Sequence, residues 1–167
     1  MTDADSEAIL KVLLDHGVDF VVIGASAAIL QGVPIAATLD LDVTAATTKA
    51  NLKRLEGAFR ELDARLRLPD PEDSVRVELD ARMLSGLSVV TMMTRFGPFD
   101  LLFTPAGSPG YNELKQRAVE VAPFRMALRV ASIEDLIAMK RAAGREKDAA
   151  HLTVLLQFLE GSRAPDP

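Results

Sequence analysis

The sequence has 167 residues, a formal net charge of −5 and 49% hydrophobic residues, which suits one globular domain with a sizeable core. The acidic balance argues against stable double-stranded DNA binding, and the absence of cysteine excludes disulfides and thiolate metal sites. No apolar run reaches the ~20 residues of a membrane span. The acidic, polar segment 1–7 does not resemble a signal peptide, so we expect a cytoplasmic protein that has no membrane partner.

The first half of the chain alternates helical and strand patterns. Helical periodicity predicts helices over Ser6–Asp15, over Ala27–Gln31 with Ser26 as its first residue, and from about Thr48 to Ala64. Short apolar or alternating runs predict strands over Phe20–Ile23, Leu39–Val43 and Val75–Leu79.

The second half predicts strands over Ser88–Thr94, Phe99–Phe103 and Ala127–Val130, the first two joined by a hairpin at 96–98. It predicts helices over Tyr111–Arg117, from the Ser132 capping box through Met139, and over Glu146–Leu159, with an interruption at Gly144. The order of elements indicates an α/β (α+β) fold, a small mixed sheet flanked by helices. We predict a single domain over 1–160 and a flexible tail over 161–167.

Two acidic residues occupy the polar side of the strand predicted over Leu39–Val43. Asp40 and Asp42 stand two residues apart, and side chains at that spacing project from the same face of a strand. Two ionised carboxylates so close repel each other, and a divalent cation between them removes that penalty. Mg²⁺ suits them because it takes carboxylate and phosphate oxygens. The alternative is a solvent-facing strand edge, where aspartate is common.

A third carboxylate, Asp100, lies in the otherwise apolar run Phe99–Phe103. Burying a lone aspartate is costly unless the carboxylate is paired. A metal ion shared with Asp40 and Asp42 would meet that requirement, so we predict that the three acids converge. The alternative places Asp100 at the strand end, bonded to the hairpin turn.

A glycine turn lies upstream of the acids. The segment Val21–Ser26 comprises a strand, Gly24 and a serine at a predicted helix start. Backbone N–H groups and the positive end of a helix suit a phosphate. An ordinary helix cap at Ser26 would give the same pattern.

The sequence resembles the nucleotidyltransferase superfamily in the order of its features: a strand, the Gly24-x-Ser26 turn, a short helix and then Thr38–Asp42. The downstream stretch Val130–Lys140, followed by Arg145 and Asp148, is similar to the AbiEii and MenT-type nucleotidyltransferases, known mostly from bacterial toxin–antitoxin and phage-defence systems. The resemblance spans nearly the whole domain and implies a polymerase-beta-like nucleotidyltransferase fold.

The resemblance also implies a reaction, transfer of a nucleoside monophosphate from an NTP to a tRNA 3′ end or a protein hydroxyl. Two Mg²⁺ ions, or Mn²⁺, would bind at Asp40, Asp42 and Asp100, and Asp100 would also deprotonate the acceptor. A toxin of this kind would be encoded beside a cognate antitoxin.

The remaining site residues implied by the resemblance bind the nucleotide: Gly24, Ser26, Thr38, Lys140 and Arg145. Lys140 would neutralise the triphosphate and point into the cleft between Asp40 and Asp42. Asp148 would orient that end of the site.

Two positions depart from the family pattern. Ala25 stands where many relatives have a second glycine, and Ala36 where many have an arginine. The change at 36 removes a cation, for which Lys140 and Arg145 would compensate. It favours a rival interpretation, a catalytically silent nucleotide- or partner-binding module. Another rival, an enzyme that modifies a small molecule such as an antibiotic, ranks lower because the chain leaves little room for a substrate domain.

Four arginines near the third predicted helix have two interpretations, a basic face or simply the solvated side of that helix. The second is favoured because charged residues most often mark a solvated face. The four are Arg54, Arg60, Arg65 and Arg67.

Overall fold

The structure, a computed structural model, describes residues 4–69 and 74–163. Within these ranges the helices are α1 (Ser6–Asp15), α2 (Gly24–Leu30), α3 (Lys49–Glu61), α4 (Ala81–Leu84), α5 (Tyr111–Arg117), α6 (Ile133–Ala143) and α7 (Glu146–Arg163). The strands are β1 (Phe20–Ile23), β2 (Leu41–Ala45), β3 (Arg65–Arg67), β4 (Ser74–Val75), β5 (Val89–Thr94), β6 (Gly97–Leu102), β7 (Val119–Val121) and β8 (Leu128–Val130).

The strands form one mixed sheet in the order β4-β3-β5-β6-β2-β1-β8-β7. Strand β2 is central, antiparallel to β1 and parallel to β6. Strands β5 and β6 form an antiparallel hairpin, and β1 pairs parallel with β8. A mixed sheet with seven helices among the described residues confirms the predicted fold class.

The central strands bury one face and leave the other open to polar residues. Alternate side chains of β2, β5 and β6 are almost fully buried, namely Leu41, Val43, Val90, Met92, Phe99 and Leu101. Helix α3 covers this face, and the ring of Phe59 meets that of Phe99 edge-on, with centroids 6.1 Å apart. Because side chains alternate along a strand, the residues between them project to the opposite face.

Most predicted elements are present, with small changes of boundary. Helices α1 and α5 and strand β1 have the predicted bounds, and Thr48 and Ser132 cap α3 and α6. Gly144, in a left-handed conformation with φ of +59°, ends α6 as expected. No helix in the described ranges is long and apolar enough to cross a membrane.

Other boundaries differ. Helix α2 begins at Gly24, so Ser26 lies inside its first turn and is not its cap. Strand β2 begins at Leu41, which places Asp40 in the bend before it. Only Val75 of the predicted strand Val75–Leu79 is in a strand.

The three-residue strand β3 was not predicted, because its sequence, Arg65-Leu-Arg67, has too little apolar content. At the other end of the chain, helix α7 continues to Arg163. The rest of the predicted tail, 164–167, lies outside the described residues.

A buried asparagine ties helix α3 to the residues that directly precede β1 and directly follow β2, at one end of this strand pair. The Oδ1 atom of Asn51 accepts from the Asp19 N–H at 2.7 Å, and its Nδ2 donates to the carbonyls of Asp19 and Ala46 at 3.0 and 2.8 Å. The side chain is inaccessible to water, and it satisfies the Asp19 N–H and the Ala46 carbonyl, while the Asp19 carbonyl also accepts from the Ala46 N–H.

Asn51→Ala is therefore expected to lower the free energy of unfolding by about 1–3 kcal/mol, because it removes three hydrogen bonds and leaves the partly buried Asp19 N–H and Ala46 carbonyl without this partner. Urea denaturation measures this loss. Asn112→Ala, at an exposed position of α5, should change stability by no more than about 0.5 kcal/mol. Equal effects of the two changes would show that Asn51 has no special structural role.

Candidate active site

Three strands bring polar side chains into one row on the open face of the sheet. Asp42 of β2 lies opposite Asp100 of β6, and Asp100 lies opposite Thr91 of β5. Paired residues on neighbouring strands project to the same side, so the two carboxylates are adjacent. Asp40, two residues before Asp42, is near enough to both that its charge raises their pKa values.

Arg67 of β3 contacts two of these acids. Its Nη2 atom donates to both carboxylate oxygens of Asp100, at 2.8 and 3.0 Å, and lies 3.8 Å from Oδ2 of Asp40. The exposed fractions of the Arg67 and Asp100 side chains are only 16% and 15%, so this is a largely buried ion pair. The expected convergence of Asp40 and Asp100 is thus present, with a guanidinium between them.

These contacts correct one expectation. The favoured interpretation placed Arg67 on the solvated side of the third helix, but Arg67 lies in a strand and points at the acids. The carboxylate of Asp100 has Arg67 as its partner, whereas the alternative interpretation bonded it to the hairpin turn. Within 4–69 and 74–163, no three His, Cys, Asp or Glu side chains are arranged to hold a metal ion.

Asp40, Asp42 and Asp100 together give this partly buried site an excess of negative charge. Burial, followed by the charges of Asp100 and Asp40, raises the pKa of Asp42 to about 7, while Lys140 and Arg145 act in the opposite direction. Burial also raises the pKa of Asp100, against the lowering effect of Arg67. A cation beside Asp42 would relieve this strain, and the oxygens of Asp42 and Asp40 are the ligands that Mg²⁺ prefers.

Gly24 allows the backbone to lie close to the carboxylate of Asp42. A Cβ atom at position 24 would lie 2.4 Å from Oδ2 of Asp42 and 3.3 Å from its Cγ, and the residue has a φ of +68°. Both facts favour glycine. Gly24, which the sequence resemblance predicts to bind phosphate, thus has a second role in seating the carboxylate.

Ser26 and Thr38 converge on the backbone of Asp40. Their hydroxyls donate to the Asp40 carbonyl at 3.5 and 3.3 Å, respectively. Ser26 is buried and belongs to the first turn of α2. Both hydroxyls therefore steady the bend that presents Asp40.

Lys140 and Arg145 share one buried acid. Asp148, 2% exposed, accepts from Lys140 Nζ at 2.7 Å and from Arg145 Nε at 2.7 Å. Burial alone would raise the pKa of Asp148, but these hydrogen bonds hold it well below its usual range. Two cations on one carboxylate leave this cluster with a net positive charge.

A cleft of about 430 Å³ joins the two clusters. Its polar lining comes from Asp42, Thr91 and Asp100 on the sheet and from Lys140 and Arg145 on the facing side. Its apolar lining comes from Val89, Leu102, Pro105, Ala106, Leu136 and Met139. The cleft thus has an acidic wall, a basic wall and apolar surface between them, which suits a ligand with phosphates and a flat, weakly polar group.

No family model matches the sequence, and no curated protein matches it significantly. Solved structures do match. The crystal structure of a candidate nucleotidyltransferase from Thermotoga maritima has a TM-score of 0.56 at 17% identity, over 95% of this chain and 96% of the other. The chain has a nucleotidyltransferase fold.

Two further nucleotidyltransferase-fold neighbours agree with that assignment. The solution structure of the antibiotic-resistance factor ANT(2'')-Ia has a TM-score of 0.58 at 15% identity, over 92% of this chain and 81% of the other. An antigenic nucleotidyltransferase-like protein from Paracoccidioides brasiliensis has a TM-score of 0.52 at 13% identity, over 95% and 79%. At these identities the likeness establishes the fold, as the sequence resemblance implies.

The raised pKa of Asp42 predicts a pH-dependent cost to folding. In the unfolded chain Asp42 loses its proton near pH 4, but in the folded protein only near pH 7, so the folded state is penalised increasingly across that window. Asp42→Asn removes the penalty. In metal-free buffer it should stabilise the protein at pH 8 by about 1–3 kcal/mol more than at pH 4.

Denaturant titrations at both pH values measure the effect. Glu160→Gln, at an exposed position of α7, is the control and should show a much smaller difference between the two pH values, because its side chain lies in water. An Asp42→Asn effect that is the same at pH 4 and pH 8 would contradict the raised pKa.

Alanine variants of Gly24 and Gly32 distinguish the effect of a steric clash from that of backbone strain. Gly24 and Gly32 both have positive φ, but a Cβ atom at 32 would meet nothing within 4 Å. Gly24→Ala should push the Asp42 carboxylate aside and weaken the predicted Mn²⁺ binding by about tenfold or more, as loss of a contact that supports a metal ligand does. Gly32→Ala should cost about 1–2 kcal/mol of stability from strain but leave Mn²⁺ affinity unchanged. Isothermal titration of both variants decides between these outcomes.

Proposed function

We propose that this protein is an Mg²⁺-dependent nucleotidyltransferase, which moves a nucleoside monophosphate from an NTP to a hydroxyl group. The observation that carries the proposal is the cleft itself. One cavity in a nucleotidyltransferase fold is lined by Asp42 and Asp100 from paired strands and by Lys140 and Arg145 from the opposite wall. Carboxylates suit a divalent cation, and the cations suit a triphosphate.

In the proposed reaction the acceptor oxygen forms a bond to the α-phosphorus. The bond between that phosphorus and the α–β bridging oxygen breaks, and pyrophosphate leaves with the bridging oxygen. Asp100 is the proposed base that takes the hydroxyl proton, since it lies beside Asp42 and Arg67 favours its charged form. Bound at Asp40 and Asp42, Mg²⁺ or Mn²⁺ would supply charge that stabilises the transition state.

The basic wall is the proposed site for the β- and γ-phosphates. Lys140 and Arg145 are fixed by Asp148 and therefore need little reorganisation to meet a polyanion. Their combined charge exceeds that of Asp148 by one, which replaces the cation that many relatives carry at the position of Ala36. Gly24, Ser26 and Thr38 are proposed to contribute through the backbone around Asp40 and Asp42, in accordance with the hydrogen bonds to the Asp40 carbonyl.

The acceptor proposed from the sequence resemblance is an RNA, such as a tRNA 3′ end, or a protein hydroxyl. The protein would act in the cytoplasm as the toxin of a toxin–antitoxin pair, neutralised by a cognate antitoxin. A small-molecule acceptor is the second candidate. An antibiotic-resistance factor with this fold aligns over 81% of its length, so the size of the present chain is no objection to such an acceptor.

A catalytically silent module remains the rival of another class. Ala36 is the feature in its favour, while the paired acids and Lys140 oppose it. Incubating the protein with each α-labelled NTP, Mg²⁺, total RNA and cell lysate separates the two. Label transferred to RNA, protein or a small molecule identifies the acceptor, whereas bound but untransferred nucleotide favours the silent module.

Lys140→Ala tests the basic wall. It should reduce turnover roughly 10²-fold or more, since it removes a preorganised donor from the developing charge. The fold should persist because Arg145 still donates two hydrogen bonds to Asp148, although loss of one partner of this buried acid lowers the melting temperature. Initial rates of label transfer measure the effect.

Arg141→Ala, an exposed change on the same helix, is the matched control and should retain normal rates. An active wild type with an equally fast Lys140→Ala variant would remove Lys140 from the mechanism and leave it as a structural partner of Asp148.

A further inference from the structure

We infer that Arg67 is the resident counter-cation of Asp100, and that it limits the centre to one divalent ion, bound through Asp42 and Asp40, in place of two. This inference rests on the proposed metal site and revises its composition. Asp100 then serves as a base or hydrogen-bond acceptor and is not a metal ligand.

The contact geometry is that of a strong, specific ion pair. Both oxygens of Asp100 accept from the guanidinium, at 2.8 and 3.0 Å, and both side chains are largely removed from water. A charge-assisted pair of this kind is stronger than a neutral hydrogen bond. Each oxygen keeps a second lone pair, so Asp100 can still accept a proton, but a divalent ion there would have to share the carboxylate with the guanidinium.

The backbone holds Arg67 in place. Strand β3 pairs with β5 through Arg65–Met93 and Leu66–Met92, and Arg67 itself pairs with Ser74 of β4. The same register, continued by one residue, places Arg67 opposite Thr91, which in turn lies opposite Asp100. The guanidinium therefore reaches Asp100 across β5, along the row of the sheet that ends in Asp42.

Charge explains why a second ion is disfavoured. The Arg67 guanidinium already supplies one positive charge to Asp100 and lies 3.8 Å from Asp40. A second divalent ion at Asp100 would be repelled by Arg67 at short range, or would have to displace it. Asp42 has no hydrogen bond or ion pair among the described residues, so its carboxylate is free to take an ion. The absence of a three-acid ligand group in the described ranges agrees with this division.

Electron paramagnetic resonance of free Mn²⁺ tests the inference without any assay of activity. Titration of the wild type with Mn²⁺ alone should show one ion per chain. Arg67→Met keeps much of the side-chain volume but removes the charge. It should bind a second ion, or bind the first at least about tenfold more tightly, as expected for loss of a nearby like charge. Arg65→Met is the matched control, because Arg65 lies in the same strand but pairs with Asp63, and it should titrate like the wild type.

A double variant, Arg67→Met with Asp100→Asn, keeps the inference testable if the single variant unfolds. It removes the pair without changing the net charge, and it should bind one ion with an affinity within about threefold of the wild type, since Asp100 is not a ligand. Two ions in the wild type, an unchanged titration of Arg67→Met, or a tenfold loss in the double variant would each overturn the inference. The labelled-NTP assay is independent, so absent transfer with the expected Mn²⁺ titrations would overturn the proposed function alone.

Discussion

The parallel pairing of β2 with β6 is the constraint on which the rest of the site depends. It sets Asp42 beside Asp100 on one face of the sheet and, by the same alternation, sets Leu41, Val43, Phe99 and Leu101 into the core on the other. The acids cannot leave the open face without a slip of register, and such a slip would expose the apolar set to water. Burial of the core thus fixes the position of the polar row.

Charge on the open face is distributed unevenly. Asp100 has Arg67 as a partner, and Asp148 has Lys140 and Arg145, but Asp42 is paired with none of them. The carboxylate without a partner is the one whose pKa rises to about 7, through burial and the charges of its acidic neighbours. This contrast marks the place in the cleft where an added cation stabilises the folded protein most.

The strands and their acidic residues could be predicted from the sequence, but the position of Arg67 and the start of α2 could not. Two short-range patterns are enough to predict strands that carry acids on one side. They are the alternation of apolar and acidic residues in 39–43 and the single acidic residue in the apolar run 99–103. The mixed sheet follows from the same patterns, and the solved structures agree with the fold that the motifs imply. Whether Asp40, Asp42 and Asp100 serve as metal ligands stays a prediction, and so does their chemistry.

No pattern in the sequence predicts that Arg67 contacts the acids. This residue follows a helix in a segment rich in arginine, and nothing local distinguishes it from Arg65, which pairs with Asp63. Its role depends on the pairing of β3 with β5, a contact between segments distant in sequence. The start of α2 was missed for a related reason, since Ser26 looks like a cap, whereas Gly24 with its positive φ makes the turn.

The position of β3 near the edge of the sheet has a dynamic consequence. Among the residues that the structure describes, only the two-residue strand β4 lies outside it, and short pairings close to an edge open more readily than central ones. Opening of β3 would carry Arg67 away from Asp100 while β2 and β6 stay paired. The electrostatic state of the cleft is therefore linked to local unfolding of β3, and amide hydrogen exchange at 65–67 reports on both.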